Sequence, residues 1–98
     1  MKCPPYNNFF VNFANKTKLN IIISLRNGSL NVTAIAKKVG EEESKVSHNL
    51  KKLNKCHILE VKQKGRQRIY SLNKETAVPL LKIVEKHVKK NCPRGCAK

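Results

Sequence analysis

The stretch Leu30–Cys56, LNVTAIAKKVGEEESKVSHNLKKLNKC, holds two apolar periodicities separated by a single glycine. Asn31 stands where a helix N-cap belongs, because its short side-chain carbonyl can accept a bond from a first-turn amide. The spacing predicts a helix over Val32–Val39, stopped by Gly40, which takes a left-handed conformation without a Cβ penalty. Glu41, Glu42 and Glu43 follow and suit the positive end of a second helix, expected from about Glu43 to Cys56. On it Val46, Leu50, Leu53 and His57 share one face. The other face carries Ser44, Lys45, Ser47, His48, Lys51, Lys52 and Lys55. Asn49 has the chemistry to read adenine, but its angle points to the helix flank. Such a helix packs by one side and shows a basic, hydrogen-bonding surface on the other.

Working outward, the apolar period downstream changes from that of a helix to that of a strand. Leu59 and Val61 alternate with Glu60 and Lys62; Gln63-Lys64-Gly65-Arg66 reads as a hairpin tip. Arg68, Tyr70 and Leu72 then alternate with Gln67, Ile69 and Ser71, and Asn73 ends the return strand. A last helix runs to about Asn91. Its regular part is expected to begin near Pro79, since proline disfavours helical geometry at Val78. Leu80, Leu81, Val84 and Val88 form its apolar stripe. Upstream, Pro4-Pro5 marks an irregular start, and Tyr6, Phe9, Phe10 and Phe13 recur at helical spacing. Asn15 fits as the N-cap of a second helix, roughly Lys16 to Arg26, with Leu19, Ile22, Ile23 and Leu25 as its apolar residues and Asn27-Gly28 as its stop; the isoleucine-rich run could also pass for a strand, but the flanking caps and the length favour a helix.

The chain has 98 residues, enough for one small domain, taken as 1–98. Its 21 basic residues against six acids give a formal net charge of +15. Residues 1–36 carry four basic residues and no acid, 37–73 ten against four, and 74–98 seven against two. The charge is therefore no detachable tail. A fold this basic favours a polyanion, nucleic acid first; a solvated lysine surface tuned for solubility is the plainer reading. An anionic membrane is a weaker rival, because the basic helices are short and lack tryptophan. No apolar run is long enough to span a bilayer. Every acid is Glu, and only Glu41–Glu43 are clustered, so paired-carboxylate catalysis and two-metal chemistry have no material. There is no glycine-rich phosphate loop, and no nucleophile–base arrangement is suggested. The chain does not read as an enzyme.

A helix, a glycine turn and a second helix with a basic outer side make the spacing of a helix-turn-helix. The second helix is expected in a DNA major groove, with Ser44, Lys45, Ser47, His48, Lys51 and Lys52 as contacts. The hairpin then reads as a wing, and Lys62, Lys64, Arg66 and Arg68 would meet phosphates or an adjacent minor groove. The plain alternatives are a solvated charged helix face and a basic turn. The expected fold class is mainly α with a small β-hairpin, in the order α-α-α-α-β-β-α.

Several stretches resemble the winged-helix repressors of the ArsR type: Asn15–Leu19, Leu30–Ala36, Val46–Leu53 and Gly65–Leu72. The resemblance covers roughly residues 8–90. It implies a homodimeric, sequence-specific double-stranded DNA-binding regulator, usually a repressor. The first and last helices, in segments 1–14 and 74–91, would form the dimer interface. Phe9, Phe10, Phe13, Leu80, Leu81, Val84 and Val88 fit that role, since a small winged core cannot cover two further apolar stripes and a two-fold pairing can. The other reading folds both helices back on their own domain. A second class keeps the fold but makes it a protein-interaction module of transcription machinery with non-specific nucleic-acid binding.

The sequence also departs from the family. Members that sense metals through Cys-x-Cys on the third helix have thiols where this chain has Asn31 and Thr33. Others bind zinc on the last helix, which here offers only Glu85 and His87. Cys92 and Cys96, in the tail 92–98, flank Pro93 and Gly95 and with Cys3 are the candidate soft-metal or thiol-redox set; ordinary thiols or a local disulfide are the alternatives. No cofactor is required. Cys56 reads as a small apolar residue. Four cysteines without a secretory signal suggest a reduced, cytoplasmic setting, with no membrane partner.

Overall fold

A computed structural model describes residues 6–91. The order is α1 (Tyr6–Ala14), α2 (Lys16–Ser24), β1 (Leu30–Asn31), α3 (Val32–Val39), α4 (Glu43–Lys55), β2 (Leu59–Lys64), β3 (Gln67–Leu72) and α5 (Ala77–Asn91). This is a winged helix-turn-helix with the expected order of helices and hairpin. The sheet has three strands in the order β1-β3-β2, both pairings antiparallel. The short β1 was not foreseen.

Local chemistry sets the helix ends. Asn15 Oδ1 accepts the Lys18 amide at 2.9 Å, and Asn31 Oδ1 accepts the Ala34 amide at 2.8 Å. Gly40 is left-handed at φ 74°, and its amide closes on the Ala36 carbonyl. α2 stops at Ser24, two residues before the expected Arg26, because the Leu25 amide already folds back onto the Ile22 and Ile23 carbonyls. α4 stops at Lys55. His57, expected on its buried face, is exposed and left-handed at φ 59°. This lets the Ile58 amide reach the Leu53 carbonyl at 3.1 Å, a turn that ordinarily uses glycine. α5 begins at Ala77 rather than Pro79. Proline is tolerated in the first turn, where its missing N–H has no helical partner to lose. The segment 74–76 is therefore a turn, with the Glu75 amide on Asn73 Oδ1 at 2.8 Å.

The core is one cluster shared by the helices and the base of the sheet. Ile21, Ile22, Ile35, Val46, Leu50 and Leu53 are fully buried, joined by Leu25, Ile58, Leu59, Tyr70, Leu72 and Ala77. In the run Ile21-Ile22-Ile23, Ile21 and Ile22 turn inward while Ile23 remains half exposed. The polar face of α2 is thus at Ile23, where an apolar face was expected. Ser24 is buried without cost, since its hydroxyl donates to the Ile21 carbonyl. Phe9 and Phe13 pack against the core, and the Phe10 ring meets Phe9 edge-on at 5.1 Å. Leu81, assigned from sequence to a dimer face, is instead buried in the core of its own chain. α5 is also tied to the end of α2 by a two-pronged Arg26–Glu85 ion pair.

Candidate nucleic-acid interface

On α4 the apolar residues Val46, Leu50 and Leu53 are wholly inward. Ser44, Lys45, His48, Lys51 and Lys52 are exposed, and Ser47 is half-buried at the edge of the packed face. Glu42 is the N-cap but makes no side-chain capping bond. Glu41 is ion-paired with Lys45, Oε1 to Nζ at 3.2 Å, one helical turn apart. Lys45 therefore offers less free positive charge than Lys51 or Lys52. Asn49 donates to the Lys45 carbonyl at 2.9 Å.

The wing is a tight hairpin. Lys64 pairs with Gln67, so the tip is the two residues Gly65-Arg66, while Gln63 and Lys64 belong to β2. Gly65 sits at φ 63°, a conformation two-residue hairpins need and glycine adopts freely. Gln63 Nε2 donates to the Gly65 carbonyl at 3.1 Å and stiffens the tip. At the base, Asn31 Nδ2 donates to Gln67 Oε1 at 3.2 Å. One residue thus caps α3 and fastens β3.

Helix and wing meet across a groove of about 410 Å³. Ser47 of α4 lines it with Gln63, Arg66 and Arg68 of the wing and Asn31 and Thr33 from the start of α3. The structure therefore brings three of the sequence-derived contacts, Ser47, Arg66 and Arg68, to one concave surface. It separates Lys62 and Lys64 from them. The register pairs Lys62 with Ile69 and Gln63 with Arg68, so strand alternation puts Lys62 and Lys64 on the sheet face opposite Arg68. Thr33 and Gln63 were missed as groove residues; the alternation of β2 could have singled out Gln63.

The sequence model of the bacterial regulatory proteins of the arsR family matches residues 15–61, which span α2, α3, α4 and the start of β2. The HTH-type transcriptional regulator NmtR of Mycobacterium tuberculosis (strain ATCC 25618 / H37Rv) is 41% identical over 59 residues, 60% of this chain and 49% of NmtR. The solution structure of apo-NmtR superimposes with a TM-score of 0.72 at 33% identity, covering 84% of this chain and 69% of that one. This chain belongs to the ArsR family. The matched stretch spans about half the length of NmtR. The fold is also that of Mb0332 from Mycobacterium bovis, described as a homodimeric winged helix-turn-helix DNA-binding domain. Its TM-score is 0.78 at 24% identity, with 90% of this chain and 82% of that one covered.

The ArsR family includes metal-sensing regulators. Among the described residues no group of three or more His, Cys, Asp or Glu is placed to hold a metal ion. His87 is hydrogen-bonded by Asn91 on α5, through its ring at 3.3 Å and its carbonyl at 3.2 Å. Cys56 closes α4, half-buried against the core. Cys3, Cys92 and Cys96 lie outside the described residues. Among the described residues no helix is long and apolar enough to cross a membrane.

Apart from Ile23 of α2 and Val61 of β2, the exposed large apolar side chains among the described residues sit on the terminal helices. Phe10 and Val11 of α1 and Ile83, Val84 and Val88 of α5 are all at least 40% exposed. Of the dimer-face set drawn from sequence, Phe10, Val84 and Val88 are open to solvent, Phe9, Phe13 and Leu80 half-buried, and Leu81 enclosed.

Proposed function

We propose that this chain is a homodimeric, sequence-specific double-stranded DNA-binding transcriptional regulator, acting in the cytoplasm as a repressor by occupying its operator. The observation that carries the reading is the shared groove: Ser47 on α4 and Arg66 and Arg68 on the wing face one surface. A helix in the major groove with a basic ribbon over the neighbouring phosphates uses that arrangement. In this reading Ser44, Ser47 and His48 choose sequence. Lys51, Lys52, Arg66 and Arg68 supply phosphate affinity, Lys62 and Lys64 add charge from the wing's other face, and Lys45 contributes least because Glu41 holds it.

The exposed apolar residues of α1 and α5 support a second copy as the partner, paired through Phe10, Val84 and Val88. Cys92, Cys96 and Cys3 are the set proposed for a soft metal or a thiol-redox effector.

Selection of bound duplexes from a random pool tests the reading. A two-fold symmetric motif with half-sites about one helical turn apart is the expected result. An unenriched pool bound with uniform, salt-sensitive affinity would instead favour a non-specific module of the transcription machinery.

A further inference from the structure

The side of the wing that carries Lys62 and Lys64 borders a second groove. It lies between β2 and β3, the turn at residues 26–29 and the first turn of α5, with a volume of about 680 Å³. That size is in the range of small-molecule sites. Part of its lining is apolar: Ile69 and Val78 are half-buried there, beside Leu25 and Leu72. Its charge is one-sided. Lys62, Lys64 and Lys74 face Glu60 as the one acid of the lining, while the lining's remaining cation, Arg26, is already engaged by Glu85. Ser29 and Ser71 supply hydroxyl groups.

Apolar lining between ammonium groups selects for two properties together. A metal cation is repelled by three lysines. A bare inorganic anion satisfies the lysines but leaves Ile69 and Val78 wet. A flat apolar body with an anionic head satisfies both. Duplex phosphates fit less well, because they reach Lys64 near the wing tip but not a lining as recessed as Ile69 and Val78.

We propose that this groove binds a small anion with an apolar body, and that such a ligand is an effector of the protein. Its walls are the strands of the wing and the start of α5, so an occupant bears on the ribbon that contacts DNA and on the base of a pairing helix. The effector role rests on the DNA-binding reading; the binding itself does not.

Naphthoate titrated into the full chain, followed by amide NMR shifts, tests the site, with neutral naphthalene methanol as comparison. Saturable shifts are expected at Ser29, Ile69, Ser71 and Val78, and weaker binding of the neutral compound. Lys62→Glu with Lys74→Glu lowers naphthoate affinity by about tenfold or more. Lys62→Gln with Lys74→Gln gives a smaller loss and serves if the reversal unfolds the wing. Lys89→Glu with Lys90→Glu, at the far end of α5, leaves it unchanged. Shifts confined to the apolar surface of α1 and α5, equal binding of the neutral compound, or indifference to Lys62 and Lys74 overturn the site.

In a second arm, saturating naphthoate is expected to change duplex affinity by about fivefold or more. Unchanged affinity for a duplex that does bind overturns the effector role. A chain that binds no duplex refutes the DNA reading, while the naphthoate titration still judges the groove.

Discussion

On α4, Val46, Leu50 and Leu53 have no exposed surface at all, and every exposed side chain is polar or charged. On α5, Ile83, Val84 and Val88 are 65%, 46% and 40% exposed, and only Ala77 and Leu81 are buried. Both helices are amphipathic and lysine-rich, yet among the described residues one buries all its apolar side chains and the other does not. The helix-turn-helix and the base of the sheet close a complete core. The two terminal helices are anchored to that core on one side and leave a second apolar side open. The proposed pairing of two copies would cover that side.

The sharpest way to break this contrast is to charge the open side. Val84→Glu is expected to leave the protomer folded, since Val84 is nearly half exposed, but to yield monomers and cost about a hundredfold or more in operator affinity, because one half-site then binds without the other. Light scattering that still shows dimers refutes the assignment. The converse change on the closed side is Leu50→Ala. It should cost about 2–5 kcal/mol of stability in denaturant unfolding through the cavity it leaves. A loss as small as that of an exposed residue would mean that α4 is not packed as described.

Smaller effects separate the two polar regions. Arg66→Ala with Arg68→Ala should weaken binding to all duplexes alike and flatten the salt dependence by about one unit per lost phosphate contact. A changed sequence preference would instead make the wing the reader. The smallest effect is expected at the joint between the regions. The Arg26 guanidinium, hydrogen-bonded to Glu85, holds that carboxyl below the usual carboxylate range. A carboxyl depressed by folding stabilises above its unfolded value and loses that contribution as pH falls through its folded value. Glu85→Gln should therefore lower the melting temperature slightly near neutrality, with the difference closing in acid. A difference that grows in acid contradicts the pairing.

The same contrast governs what could be read from the sequence. α3 was legible to the residue, because Asn31 and Gly40 act through local backbone chemistry. The wing was legible through its alternation, although Gln63 and Lys64 proved to be strand rather than tip. The Ile21–Ile23 run was not: three consecutive isoleucines carry no phase, and only packing against α1, α3 and α4 turns Ile21 inward and Ile23 out. β1 is two residues long and exists because Leu30 and Asn31 find Tyr70 and Ile69 about forty residues away. Arg26 and Glu85 are 59 residues apart, beyond any local pattern. The Glu41–Lys45 pair, by contrast, has ordinary helical spacing and could have been anticipated. At the interface the sequence does not separate the faces by eye, yet the register puts Lys62 and Lys64 on the side opposite Arg68.

In the proposed complex α4 and the wing bind one duplex from the same side. Amide NMR shift mapping of the chain with a selected duplex tests it directly. Shifts are expected at Ser44–Lys52 and at Gln63–Arg68, titrating together with one affinity. Shifts on only one of these elements, or two separate affinities, would contradict it.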